Sequence, residues 1–189
     1  MNKSITLLLF SLFAISCSES NATKRQAFAP NSLPFVSKED FSYKGAFIMD
    51  KKATYGDSDN KYASAVFELS EDKSSFYFGG RKVNTSIGEF GLPKLVVSDN
   101  IADLNVAKVI QNYSSIIGTK KNRFDSKRIP TGNPQKIDRI TGLILHNGAL
   151  IANVTKYYDG KGGNTHTTVL IDTPKDLANS KIYGYFSLD

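Results

Sequence analysis

Cysteine and histidine are scarce in this chain, and their scarcity excludes several kinds of site. The only cysteine is Cys17, so the chain cannot form an internal disulfide bond. The two histidines, His146 and His166, have no Cys-x-x-Cys or His-x-x-x-His spacing around them, which argues against a structural zinc cluster. A Gly-x-Ser-x-Gly sequence is also missing, so nothing indicates a hydrolase nucleophile. We therefore predict no metal, no cofactor and no catalytic residue.

Long apolar runs are few, and the most prominent one lies near the N-terminus. Lys3 precedes a mainly apolar stretch over residues 5–15, which is about half of the roughly 20 residues that a membrane-spanning helix needs. The small residue Ser16 and then Cys17 follow at once. This arrangement is typical of a cleavable export signal and not of a permanent transmembrane anchor.

The last residues of this signal, Ala14-Ile15-Ser16-Cys17, resemble the lipobox of bacterial lipoproteins. The resemblance implies that Cys17 receives a diacylglycerol through its sulfur and becomes the new N-terminus after cleavage. Ala14 departs from the Leu that is commonest at its position in that family. The alternative is an ordinary secretory signal in which Cys17 is incidental. Several acyl chains on one residue would hold the protein durably on a membrane.

The sequence predicts three successive parts. Residues 1–16 form the lipoprotein signal peptide, residues 17–40 contain the lipidated cysteine and a flexible tether, and residues 41–189 form a β domain. The tether is polar, contains Pro30 and Pro34, and has neither helical nor strand periodicity. A first strand near residues 33–36 is the alternative. We expect the protein in the bacterial cell envelope, on the outer membrane or cell surface in preference to the inner membrane.

Positive charge is concentrated in one segment. The formal net charge of +6 falls to +5 without Lys3, and residues 118–136 alone carry six basic residues and one acidic residue. This segment also contains Pro130, Gly132 and Pro134, which is typical of a solvated connection. The functional alternative is weak contact with anionic headgroups or acidic polysaccharide. No nucleic-acid recognition motif is present, so we predict no nucleic-acid partner.

The rest of the chain has the pattern of an all-β protein. Runs rich in Val, Ile, Phe, Tyr and Thr alternate with clusters of Gly, Asn, Asp and Ser. The predicted strands are residues 43–49, 63–69, 75–80, 93–97, 106–113, 140–146, 149–158, 165–171 and 181–187. Residues 101–109 are the one stretch that would also suit a short helix.

Two hairpins suggest a weak internal repeat. Asn147 and Gly148 lie between apolar runs, which is a strong signal for a two-residue turn. A longer polar turn over residues 70–74 joins the strands before and after it in the same way. Residues 64–80 can be laid over residues 141–157, which gives a period of roughly 75 residues and favours propeller-like blades.

The β region resembles uncharacterised secreted bacterial β-propeller-like proteins. The residues that carry the resemblance are Gly45-Ala46-Phe47, Phe78-Gly79-Gly80, Ile140-Thr141-Gly142-Leu143, Tyr157-Tyr158-Asp159 and His166. The resemblance implies a fold of antiparallel multi-stranded units and no activity. Two blades cannot close a ring, so we expect either the N-terminal part of a larger propeller or, as the alternative, a closed β-sandwich or barrel.

The best candidate ligand site consists of Tyr157, Tyr158, Asp159 and His166. The glycine-rich stretch after Asp159 would let the end of one strand approach the start of the next. Aromatic faces with a carboxylate and an imidazole suit a sugar, because the rings stack and the polar atoms select hydroxyl groups. The alternative is that the two tyrosines alternate between core and surface beside a mobile turn.

Together these observations predict a noncatalytic module of the cell envelope. It would bind or scaffold a glycan or an envelope protein through its loops, while the lipid anchors it to the membrane. A polysaccharide-acting enzyme on a propeller-like scaffold is the alternative. That alternative requires a second carboxylate beside Asp159, because glycoside hydrolysis uses a carboxylate pair.

Overall fold

The computed structural model describes residues 36–50, 54–117, 129 and 132–187. The signal peptide, Cys17, most of the tether and most of the basic segment lie outside these residues, so those expectations stay predictions. In the described end of the tether, Lys38–Asp40 form a short 3-10 turn after Ser37. None of the helices in the described ranges is long and apolar enough to cross a membrane.

Within the described residues the fold consists of two four-stranded antiparallel sheets and a small two-stranded ribbon. The ribbon pairs β1 with β2, the first sheet has the order β3-β4-β5-β6, and the second has the order β10-β9-β8-β7. The strands are β1 Thr54–Tyr55, β2 Ser58–Asp59, β3 Phe67–Leu69, β4 Ser75–Gly79, β5 Ser86–Gly91, β6 Val109–Ser115, β7 Arg139–His146, β8 Ala149–Thr155, β9 His166–Ile171 and β10 Ile182–Ser187. The prediction of an all-β, antiparallel chain is confirmed. Neither described sheet closes into a barrel.

The first sheet is covered on both faces, because its central strands place apolar side chains alternately on each side. Phe76 pairs with Phe90 on one face, where both pack in an aromatic cluster with Tyr113. On the other face Tyr77 pairs with Glu89. The side-chain period of two in a strand thus directs Tyr77 away from the aromatic cluster.

The second sheet buries one face against the first. Along β8, Leu150, Ala152 and Val154 are fully buried at every second position. They join Tyr77 and Ile87 of the first sheet in one hydrophobic core. The same core takes in residues from the segment between the sheets, namely Ile116, Ile117, Ile129 and Ile137. The first strands of the two sheets, β3 and β7, are also in contact.

The predicted hairpin at Asn147 and Gly148 is confirmed. His146 pairs with Ala149 across the turn, and the two turn residues have φ angles of 49° and 76°. A two-residue hairpin requires these positive angles, which Asn and Gly tolerate best.

Three expectations along the first sheet are corrected by the structure. Residues 43–49 and 93–97 form only isolated bridges, in which Ala46 pairs with Val96 and Ile48 with Val106. The short helix expected at residues 101–109 is a 3-10 turn of three residues, Ile101–Asp103, after which the chain becomes extended. Asn100 caps this turn by accepting a hydrogen bond of 3.1 Å from the Ala102 amide.

Strand β5 was not among the predicted strands. It contains two glycines and one glutamate, which are residue types that occur less often in strands. Packing explains both residue types. A Cβ atom on Gly88 would lie 2.9 Å from the Tyr113 ring, and Glu89 accepts hydrogen bonds from Ser75 and Gln111 on the neighbouring strands.

Candidate functional site

The predicted site lies on the loop that connects β8 to β9. This loop, residues 156–165, borders a cavity of about 650 Å³ at the end of the second sheet opposite the Asn147–Gly148 turn. The described lining combines one aromatic ring, one carboxylate, two side-chain amides and two ammonium groups. These residues are Pro134, Gln135, Lys156, Tyr158, Asp159, Gly160, Lys161, Gly163 and Asn164.

Asp159 closes the loop. Its two carboxylate oxygens accept hydrogen bonds of 2.9 Å from the backbone amides of Gly163 and Asn164. Its backbone carbonyl accepts a third bond, of 3.0 Å, from the Gly162 amide. The hydrogen bonds from the Asn164 and Gly163 amides lower the pKa of Asp159, because they stabilise the charged form. Asp159 is therefore an ionised group that shapes the loop, with lone pairs left to accept bonds from a ligand.

The two tyrosines have different surroundings. Tyr158 lines the cavity and is 79% exposed. Tyr157 does not line the cavity, and one face of its ring is covered by the Arg139 guanidinium at 4.6 Å from the ring centre. The Tyr157 backbone amide donates a bond of 2.8 Å to Asp138, which holds the start of the loop beside β7. Tyr158 is thus the ring that is free to stack on a ligand.

His166 flanks the cavity and does not line it. Its Nδ1 atom lies 2.9 Å from the Thr165 hydroxyl and 3.4 Å from the Gln135 side-chain nitrogen. The Gln135 side-chain oxygen accepts bonds from the backbone amides of Thr165 and His166, of 3.1 Å and 3.2 Å. Of the four predicted residues, the structure brings Tyr158 and Asp159 together in one cavity and places Tyr157 and His166 beside it.

Sequence reasoning missed Gln135, Lys156 and Asn164. Gln135 belongs to the basic segment, which we interpreted as a connection, yet it is bonded to the start of β9. Asn164 accepts a bond of 2.9 Å from the Lys156 amide and so ties the two ends of the loop together. An amide residue at the end of a glycine-rich stretch was the only available signal. The approach of Gln135 depends on tertiary packing that no local pattern shows.

Comparison of the chain with known protein families, with curated proteins and with solved structures finds no match. Its function is therefore inferred from the chemistry of its own residues.

The cavity offers binding chemistry. Asp159 is the one carboxylate among the described lining residues, whereas glycoside hydrolysis requires two. No group of three His, Cys, Asp or Glu side chains in the described ranges is placed to hold a metal ion. An exposed ring beside amide, ammonium and carboxylate groups can stack on an apolar face and select hydroxyl groups around it.

Proposed function

We propose that this protein is a noncatalytic cell-envelope lipoprotein that binds a glycan through the cavity beside Tyr158. The observation that carries the proposal is the exposed Tyr158 ring at the edge of a cavity whose other described side-chain groups are mostly polar. The ring would stack on the C–H face of a sugar. The amides of Gln135 and Asn164 would hydrogen-bond to its hydroxyl groups.

The charges of the cavity favour an acidic sugar. Lys156 and Lys161 contribute two ammonium groups, and Asp159 contributes one carboxylate whose charge is already engaged by backbone amides. A sugar carboxylate would therefore meet a net positive surface. This attraction is screened by salt, so binding should weaken as ionic strength rises.

A glycan array probed with the chain lacking residues 1–16 tests this proposal. Tyr158→Ala should abolish the binding of acidic oligosaccharides without changing the melting temperature. Tyr43→Ala is the matched control, because Tyr43 is also an exposed tyrosine and lies outside the cavity. Unchanged binding by Tyr158→Ala, or no binding of any glycan by the unsubstituted chain, would contradict the proposal.

The three other predicted site residues have different expected roles. Asp159→Ala should also abolish binding, because it releases the loop that positions Tyr158. His166→Ala and Tyr157→Ala should weaken binding less than Tyr158→Ala, because both residues flank the cavity. Equal losses from all four substitutions would indicate a more extended surface centred on the loop.

The proposed location rests on Cys17. Expressed in a bacterium, the complete chain should incorporate a fatty-acid probe and partition into detergent, and Cys17→Ala should do neither. Ser18→Ala is the control, since it changes the adjacent residue and keeps the sulfur. Equal labelling of Cys17→Ala and the unsubstituted chain would contradict lipidation.

We further propose that the two sheets are successive propeller-like blades. Each is a meander of four consecutive antiparallel strands, their faces share one core, and their first strands are in contact. In a propeller each blade packs between two neighbours, and the outer face of the second sheet has no such neighbour among the described residues, so the chain without residues 1–16 should self-associate in light scattering. A stable monomer would favour a closed two-sheet sandwich.

A further inference from the structure

A second cavity, of about 520 Å³, lies at the opposite end of the second sheet from the Tyr158 loop. It is bordered by the β3–β4 turn, by the Asn147–Gly148 turn and by the 3-10 turn Pro174–Asp176. Tyr77 and Glu89 contribute from the inner face of the first sheet. We call this cavity the inter-sheet cleft.

The inter-sheet cleft has a strongly negative lining. Four carboxylates face it, from Glu71, Asp72, Glu89 and Asp172, against one ammonium group, from Lys175. In the described part of the chain no ion pair forms on any of these carboxylates. Their negative charge is therefore not neutralised by a basic side chain of the described residues.

Glu89 is the clearest example of a cleft carboxylate whose charge is not neutralised. Its two oxygens accept bonds of 2.5 Å from the Ser75 hydroxyl and 2.6 Å from the Gln111 side-chain nitrogen. Both donors are neutral, so they orient the half-buried carboxylate without cancelling its charge. A carboxylate held in this way is a fixed acceptor for a cation.

Tyr77 provides an independent indication of a ligand. The residue is 3% exposed and lines the cleft, and its hydroxyl has no hydrogen-bond partner among the described residues. The hydroxyl oxygen itself is not enclosed by the protein, so it faces the open volume of the cleft, where a ligand can reach it. Burial, with the charges of Glu89, Glu71 and Asp72, raises the pKa of Tyr77 to about 12. The hydroxyl is therefore neutral at physiological pH, and its oxygen can accept a hydrogen bond.

The spread of the carboxylates favours an elongated cation over a metal ion. Within the described ranges, no three acidic or histidine side chains converge as metal ligands do. The cleft carboxylates instead come from three separate places, the β3–β4 turn, β5 and the residue after β9. The apolar side chains of Ile110, Leu145 and Pro174 line the same cleft. Separated negative charges with apolar walls match ammonium groups joined by methylene chains.

We propose that the inter-sheet cleft binds a linear aliphatic diamine or polyamine. One ammonium group pairs with Glu89 and donates a hydrogen bond to the Tyr77 oxygen. A second ammonium group pairs with Glu71, and the methylene groups between them pack against Ile110 and Leu145. This site is separate from the Tyr158 cavity and does not depend on glycan binding.

Isothermal titration of the chain lacking residues 1–16 with spermidine, 1,4-diaminobutane and butylamine tests the site. Spermidine and the diamine should bind, and butylamine should bind at least about tenfold more weakly because it makes one ion pair. Glu71→Gln should weaken diamine binding by about tenfold, since it removes one exposed charge and no described hydrogen bond. Tyr77→Phe should weaken it several-fold with an unchanged melting temperature.

Two controls separate this site from other causes. Asp99→Asn removes one negative charge outside the cleft and should leave the affinity unchanged. Tyr158→Ala should also leave it unchanged, even if glycan binding is lost. The proposal is overturned if the unsubstituted chain binds no diamine, if butylamine binds as tightly as the diamine, or if Asp99→Asn weakens binding as much as Glu71→Gln. Displacement of the diamine by an equal concentration of magnesium would also overturn it.

Discussion

Gln111 and Leu177 are joined by a hydrogen bond of 2.8 Å, in which the Leu177 backbone amide donates to the Gln111 side-chain oxygen across 66 positions of the chain. The Gln111 side-chain nitrogen donates to the Pro174 carbonyl at 2.8 Å and to Glu89 at 2.6 Å. One side chain on β6 therefore bonds to its own sheet and to the segment between β9 and β10.

Gln111→Ala should lower the free energy of unfolding by about 1–3 kcal/mol, because it removes the hydrogen bonds that Gln111 makes to the Leu177 amide and the Pro174 carbonyl. Urea denaturation followed by circular dichroism measures the change. Asn112→Ala, at an exposed position of the same strand, should change it by less than about 0.5 kcal/mol. Equal denaturation midpoints for the two variants would contradict the role of Gln111.

Leu150→Ala should cost about 2–5 kcal/mol, because Leu150 is fully buried in the core between the sheets. Ile144→Ala is the control, since this branched side chain on the adjacent strand β7 is 53% exposed. Thermal unfolding should show a large fall in melting temperature for the first variant and a small one for the second. Similar falls would mean that the core is not centred on β8.

Gly80→Ala should destabilise the first sheet by about 1–3 kcal/mol through overpacking. A Cβ atom at this position would lie 2.5 Å from the Ser58 hydroxyl oxygen and 2.8 Å from the Ser58 Cβ. Ser58 cannot easily move, because that oxygen accepts a bond of 2.9 Å from the Arg81 amide. Gly91→Ala has only ordinary contacts and should be tolerated. Chemical denaturation of both variants would show the difference, and equal stabilities would refute it.

The closed loop at Asp159 should open in acid. Its hydrogen bonds lower the carboxyl pKa in the folded chain, so their stabilisation is present above the unfolded pKa of about 3.9 and is lost as the pH falls through the lowered value. The Gly163 and Asn164 amide signals in NMR should shift with a midpoint below about 3.9. Asp159→Asn should remove this step. A midpoint at or above the unfolded value would show that the bonds do not form in solution.

Sequence patterns predicted the structure correctly where it depends on residues that are close together in the chain. Asn147 and Gly148 predict the turn that they form, and the apolar alternation of β8 identifies its buried face. Strand β5 was not predicted, because Gly88 and Glu89 are unusual in a strand. Their roles depend on partners on other strands, namely the Tyr113 ring and the side chains of Ser75 and Gln111. Propensity describes how a residue suits a strand on average, and tertiary packing overrides it at such positions.

The candidate site was partly predictable for the same reason. Tyr158 and Asp159 are adjacent in the chain, so their shared loop could be expected from the glycines that follow them. Gln135 reaches that loop from a distant segment. The inter-sheet cleft depends entirely on such distant approaches, since Glu71, Glu89 and Asp172 come together only when both sheets have packed. No spacing rule links these residues.

Because each sheet is a meander of consecutive strands, the order in which a ribosome makes the chain matters for how it folds. A nascent chain that extends only to Ser115 already contains every strand of the first sheet. Its Tyr77 and Ile87 would remain uncovered, because every other fully buried member of their core among the described residues comes later in the sequence. Exposed apolar surface of this kind is what chaperones bind and what promotes aggregation during synthesis. The inner face of the first sheet is therefore shielded from water only after the second sheet has been synthesised and has packed against it.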